Sequence, residues 1–242
     1  MSLATEARRL RERFPGNGYV GFHARRYASL VQLLDGKLAP DMLVLDIGRS
    51  PLTEVLHERF GVRVDSLGFN GEGESAEGRT WWFDLNMAQT QEKWRTDLPE
   101  YDVVVMGEVI EHLHTAPRLV LSFLRTLVKP GGMLVIQTPN AAALNKRLEL
   151  LIGRNPYELI REQTSDPGHF REYTRKELTA VVRAAGFEVA DWFAADYLDY
   201  SRKPAGKQHS AAFGHAVNIV NRCLPPSLKP GQTLVARRPL GG

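Results

Sequence analysis

The chain has 242 residues, of which 43% are apolar and 24% charged, with a formal net charge of +3. That length accommodates one packed α/β unit with appendages, and the weak, scattered positive charge argues against a nucleic-acid partner. Arg8, Arg9, Arg11 and Arg13 alternate with acids and predict a solvated helical face. No apolar run reaches membrane-spanning length, so no transmembrane helix is expected, and the N-terminus shows no apolar leader. The single cysteine, Cys223, excludes an internal disulfide and a cysteine zinc site and fits a reducing compartment. A cytoplasmic location is therefore expected.

In chain order, residues 5–14 predict a short charged helix ended by Pro15-Gly16-Asn17-Gly18. A second helix is expected over 21–34, with Tyr27, Leu30, Val31 and Leu34 on one face. Residues 42–47 are a nearly continuous apolar run, as a strand buried on both faces requires. Gly48 follows as a turn, and Ser50 with Pro51 reads as an N-cap and first helical residue. Leu52, Val55, Leu56 and Phe60 continue at helical spacing. Residues 62–67 predict a second strand containing Asp65, followed by a glycine-rich loop with Glu72 and Glu74. A third strand over 80–83 ends in Asp84-Leu85-Asn86, with Asp84 able to cap a helix over 87–94.

Residues 102–106 form the next buried strand and run into Gly107-Glu108-Val109-Ile110-Glu111-His112-Leu113. Pro117 opens a helix with Leu119, Val120, Phe123, Leu124 and Leu127 inward. Lys129-Pro130-Gly131-Gly132 stops it before a fifth strand over 133–137, ended by Thr138-Pro139-Asn140. Residues 141–152 are helix-like, and Gly153, Asn155, Pro156 and Asp166-Pro167-Gly168 mark loop. His169-Phe170-Arg171-Glu172-Tyr173 precedes a capping box, Thr174 to Glu177, whose helix directs Leu178, Val181, Val182 and Ala185 inward. A sixth strand is expected over 187–193 and a last, antiparallel one over 232–237. Between them Phe213, Ala216, Val217, Val220 and Leu224 form an apolar stripe at helical spacing, predicting core or lid packing.

The stretch 42–60 resembles motif I of the class I S-adenosylmethionine-dependent methyltransferases. Gly48 holds the first glycine position of that motif, while Ser50 and Leu52 stand at the second and third. The order YDVVVMGEVIEHL, helix, KPGG turn, GGMLVIQTPN strengthens the resemblance, which covers residues 42–140 and extends to the branch containing ubiquinone-biosynthesis methyltransferases. It implies a Rossmann-like, doubly wound, seven-stranded, mostly parallel sheet with an antiparallel last strand, N-terminal helices and lid insertions. One domain is expected over 1–242, with an N-terminal helical segment (1–40), a cofactor-binding core (41–140) and two lid or substrate excursions (141–172 and 194–230).

The resemblance also implies S-adenosyl-L-methionine as cofactor, met by Asp46, Gly48, Arg49 and Ser50 at the first turn, by Asp84 and Leu85 for the adenine, and by Glu108 near the methionine. The acid that normally grips the ribose falls on Gly68, leaving ribose recognition open between Asp65, the glycine-rich loop and the N-terminal segment. Tyr19, Phe22, His23 and Arg26 are candidate contacts there, or else pack on the sheet.

The expected reaction is methyl transfer to a small polar acceptor, most simply a hydroxyl of a sugar or secondary metabolite. A hydroxyl acceptor needs a base: His169 is the first candidate, His112 the second, with Arg171 orienting the acceptor. No metal is expected, because His112 and His114 do not share a helical face and no third ligand is apparent. A nicotinamide-dependent oxidoreductase would need a GxGxxG turn that GRSPLT does not supply. A degenerate relative that binds cofactor or partner without turnover is the other reading. A homodimer is compatible with the sequence.

Overall fold

The computed structural model describes residues 2–69, 71–163, 167–202 and 210–241. Asp166 and parts of both expected lids, 164–166 and 203–209, lie outside the described residues. The strands are β1 (Leu43–Ile47), β2 (Arg63–Gly68), β3 (Gly73–Glu74), β4 (Arg79–Trp82), β5 (Tyr101–Gly107), β6 (Val128–Pro139), β7 (Glu188–Ala195) and β8 (Gly231–Arg237). They form one sheet in the order β3-β4-β2-β1-β5-β6-β8-β7. β4, β2, β1, β5 and β6 are mutually parallel, and β8 runs antiparallel between β6 and β7. This is the expected doubly wound arrangement with one strand more than the seven anticipated. The addition is β3, two residues of the glycine-rich loop that fold back antiparallel on β4.

Helices α1 (Leu3–Arg13), α2 (Gly18–Leu34) and α3 (Pro51–Phe60) cover one face, and α4 (Pro117–Leu127) and α6 (Arg175–Ala184) the other. Because successive strand residues point to opposite faces, Val44, Val103, Val105 and Val135 join the first layer while Leu45, Val104, Met106 and Ile136 join the second. Tyr27, Leu30, Val31 and Leu34 of α2 are all buried, as their spacing predicts. α5 (Leu144–Leu151) follows β6, and α7 (Ala211–Cys223) precedes β8.

Two expectations fail locally. The segment after Asp84 forms two 3₁₀ turns, Leu85–Gln89 and Gln91–Lys93, instead of an α-helix. The apolar stripe of α7 does not face the core: Phe213 and Val220 are more than half exposed. The helix docks instead through Gly214 and Asn218. A Cβ on Gly214 would lie 2.1 Å from the Tyr200 carbonyl oxygen, and buried Asn218 donates to Asp199 (2.8 Å) and accepts the Tyr200 amide (3.0 Å). Close backbone approach and two hydrogen bonds thus orient this helix against its hydrophobic pattern.

Candidate functional site

The chain leaves β1 for β2 on one side and later crosses to β5 on the other, so a crevice opens beyond the carboxyl ends of these strands, where ligands enter open α/β sheets. The crevice encloses about 700 Å³ and is lined by the ends of β1, β2, β4 and β5 and by Ile160, Arg161, Pro167 and Phe170 from the first excursion.

At the β1 turn, Gly48 adopts φ +78°, a left-handed conformation that glycine adopts without steric cost. Its amide donates to the Leu67 carbonyl (2.8 Å). Ser50 caps α3, accepting the Leu52 amide at 3.2 Å, while Thr53 accepts the Ser50 amide at 3.3 Å. Asp46 is 2% exposed and accepts from the hydroxyls of Thr53 (2.7 Å) and Ser50 (3.3 Å). Burial pushes its carboxyl up to about 7, against the pull of those hydroxyls and Arg26. Asp46 and Ser50 therefore brace the turn from behind, whereas Gly48 and Arg49 line the crevice. Arg49 also donates to Thr80 (3.3 Å) and pairs with Glu77 (3.1 Å).

Gly68 ends β2 and accepts the Phe83 amide (3.1 Å). Asp65 faces away from the crevice: at 1% exposure it accepts from the Arg79 amide (2.8 Å), Tyr101 Oη (3.0 Å) and Trp81 Nε1 (3.4 Å). It ties β2 to β4 and β5. Glu72 pairs with Arg95 (2.6 Å) and Glu74 is exposed. At the end of β4, Asp84 accepts the Asn86 amide (2.8 Å), so it caps the 3₁₀ turn while lining the crevice beside Leu85.

Beyond β5, Glu108 has φ +58°, the one non-glycine residue with positive φ among the described residues. Its amide donates to the Gln137 carbonyl (2.7 Å). Burial and then the neighbouring Glu111 raise its carboxyl, while Arg26 opposes them. Arg26 is 3% exposed, lies against Gly107 and donates to Tyr19 Oη (3.2 Å). The N-terminal segment thereby brings a buried cation to the β5 turn. Exposed Tyr19 stacks on His23, and Phe22 packs edge-on to His23 and Tyr200.

His112 and His169, far apart in sequence, meet edge to face with ring centroids 4.7 Å apart. His112 Nδ1 donates to the Gly168 carbonyl (2.9 Å) and His169 Nδ1 to Glu172 (3.1 Å), which leaves Nε2 of each with its lone pair. Glu172 in turn pairs with Lys146. Burial, then His112, lowers His169 to about 4, so it is neutral at physiological pH. The loop that presents His169 is fastened by the Phe170 and Arg171 amides, which donate to the Glu111 carbonyl (2.8 and 3.2 Å).

Arg171 stands outside this group. Its side chain is largely exposed and pairs with Glu177 of the α6 cap (2.6 Å). His114 is exposed and packs on Phe170. Sequence reasoning missed Glu111, which together with His112 and His169 offers ligand atoms within 4.8 Å of one another. That spacing requires the 168–172 loop to hook onto the β5 turn, and no local pattern announces it.

A family model for a methyltransferase domain matches residues 19–191. The chain is 37% identical over 90 residues to a Mycolicibacterium smegmatis protein bearing an S-adenosylmethionine-dependent methyltransferase name, covering 37% of this chain and 30% of that protein. It is 30% identical over 115 residues to a ubiquinone biosynthesis O-methyltransferase of Aeromonas salmonicida, covering 47% of each. The matches thus span less than half the length of both relatives. Among solved structures, a SAM-dependent methyltransferase from Archaeoglobus fulgidus superposes with TM-score 0.56 at 17% identity, covering 94% of this chain and 97% of that one. Phosphoethanolamine N-methyltransferase 2 of Haemonchus contortus gives TM-score 0.58 at 12% identity, covering 97% of this chain and 57% of that one. At these identities the structures establish shared fold alone.

Proposed function

The chain belongs to the methyltransferase-domain family whose model spans residues 19–191, and from that premise we propose that it transfers a methyl group from S-adenosylmethionine to a hydroxyl of a small polar acceptor, a sugar or a secondary metabolite. The observation that carries this reading is the convergence of the Gly48 turn, the Asp84-Leu85 pair and the His112 wall on one crevice. Its volume is within the range of small-molecule sites, about 300–1,000 Å³. The residues fit the cofactor: Gly48 has no side chain to fill the turn, Asp84 offers an acceptor for the adenine amino group, and Glu108 lines the same crevice, where a bound sulfonium would favour its ionised form. The departure from the usual pattern is Gly68, which offers no ribose carboxylate. On this reading residues 41–140 are the cofactor-binding core of a single domain and the excursions 141–172 and 194–230 its acceptor-side lids, the first supported by Ile160, Arg161, Pro167 and Phe170 in the crevice lining.

When bound, S-adenosylmethionine supplies a sulfonium methyl group to which the acceptor oxygen forms its new bond, the C–S electron pair remaining on sulfur. The protein aligns the acceptor and deals with its proton. His112 and His169 each keep Nε2 free of the bond made at Nδ1, and a neutral imidazole can take the hydroxyl proton. The O-methyltransferase name of the Aeromonas salmonicida relative favours oxygen as the acceptor atom.

The test is calorimetric titration of the full chain with S-adenosylhomocysteine, followed by turnover on a panel of sugars, phenols, carboxylates and amines. Binding with methylation of a hydroxyl supports the proposal. Failure to bind removes the cofactor assignment, and binding without any turnover leaves a degenerate binder.

A further inference from the structure

The rings of His112 and His169 are both fixed in orientation. Each ring is oriented from behind, one by the Gly168 carbonyl (2.9 Å) and the other by the Glu172 carboxylate (3.1 Å). Imidazoles that bind metals are held in this way, because the bond at one nitrogen fixes the tautomer and aims the other. Glu111 completes the group. It is 0% exposed; its Oε2 accepts from Thr138 Oγ1 (2.9 Å), while Oε1 is buried without any hydrogen-bond donor. A buried carboxylate oxygen with no partner is costly, and a cation would supply that partner.

We propose that Glu111, His112 and His169 bind a divalent cation of the first transition row, and that this cation holds and activates the acceptor oxygen. One ligand atom from each residue already lies within 4.8 Å of the other two. Ligands bonded at about 2.0–2.2 Å around a tetrahedral ion stand about 3.4 Å apart, so closure needs only small side-chain adjustments. Two imidazoles and one carboxylate suit zinc or its neighbours in the row and leave a coordination position open. The charge is also suitable. Burial and then Glu111 raise the Glu108 carboxyl, with Arg26 and half-buried Lys146 opposing them, and a bound cation would favour the ionised form of both acids.

Cation binding stands on this geometry alone; its use in catalysis rests on the methyl-transfer reading. With the cation bound, both Nε2 atoms are ligands, and hydroxyl activation passes from the imidazoles to the metal. The metal lowers the pKa of a coordinated hydroxyl; its proton leaves to water as the oxygen–methyl bond forms.

The experiment strips the full chain with chelator, then titrates it with Zn²⁺ by calorimetry and with Co²⁺ by visible absorption. One ion per chain is expected, with micromolar or tighter affinity and ligand-field bands for Co²⁺. Glu111→Gln and His169→Ala should each weaken binding at least tenfold while circular dichroism is unchanged. Glu172→Gln, acting through His169, should weaken it about 10–100-fold. Cys223→Ser should bind normally, which excludes the exposed thiol. No saturable binding, or binding indifferent to Glu111→Gln and His169→Ala, overturns the site. Turnover that survives cation removal overturns the activating role. S-adenosylhomocysteine affinity of the same samples separates the two proposals: cation binding without cofactor binding defeats the methyl-transfer reading, and the activating role with it, but leaves the cation site standing, and cofactor binding without cation binding defeats only the site.

Discussion

Gly48 and Gly68 meet across the ends of β1 and β2: a Cβ built on Gly68 would rest 3.6 Å from the Gly48 Cα. The two glycines differ in what they forbid. Gly48 has φ +78°, which disfavours any side chain, whereas Gly68 has ordinary backbone geometry and room for a side chain.

Gly48→Val should therefore abolish S-adenosylhomocysteine binding. A β-branched residue in the left-handed region is strained by about 1–3 kcal/mol, and the turn relaxes by moving the backbone that meets the ligand. Thermal melting should show a stable but weakened domain, and calorimetry should show no cofactor binding. Normal affinity in this variant would remove the cofactor from the β1 turn.

Gly68→Asp should act in the opposite direction. It restores an acceptor where related enzymes grip the ribose, and the surrounding contacts at 3.6 and 3.8 Å are ordinary ones. A charge-assisted hydrogen bond contributes about 1.5–3 kcal/mol, so S-adenosylhomocysteine should bind about ten- to a hundredfold more tightly. Unchanged or weaker binding would mean that ribose recognition comes from elsewhere, with the Tyr19–Arg26 segment a candidate source.

How much of this was readable beforehand depended on how local the cause was. Ser50 and Pro51 fix the start of α3 because caps act within one turn, and Gly61, left-handed in the structure, ends it. The alternation of Val44, Leu45 and Val103, Val104 gave a sheet covered on both faces. Asp65 was ambiguous because its partners Trp81 and Tyr101 arrive from two other strands. The apolar stripe of α7 does not mark its docked face, because Gly214 and Asn218 make the contacts that hold the helix. Glu111, His112 and His169 converge only when the 168–172 loop binds the Glu111 carbonyl, a relationship between segments that no periodicity encodes.

Arg171→Ala should be nearly neutral. The side chain pairs with Glu177 at an exposed position, and such pairs contribute about 0–1 kcal/mol. Glu177 keeps its capping bonds to the Thr174 amide (2.9 Å) and hydroxyl (2.8 Å). Turnover should remain within about threefold of the parent, a range below the 10²–10⁴-fold expected of a group taking part in proton transfer. A loss of two decades in kcat with normal cofactor affinity would show that Arg171 swings from Glu177 to the acceptor.

Asp46→Asn should change how stability responds to pH. Burial raises the Asp46 carboxyl to about 7 in the folded protein, against about 3.9 in an unfolded chain. Between these values the folded state holds a proton that the unfolded state has released, so stability falls as pH rises from about 4 to about 7 and then levels off. The difference corresponds to about 4 kcal/mol at most. Asparagine keeps an acceptor for Thr53 and Ser50 but carries no proton to lose. Other titrating groups contribute to both proteins, so the difference between their denaturation curves isolates this site. Urea unfolding at pH 5 and pH 8 should show the variant gaining on the parent by up to a few kcal/mol at the higher pH. Parallel behaviour of the two proteins would mean that Asp46 is already ionised at pH 5, held so by Arg26 and the two hydroxyls.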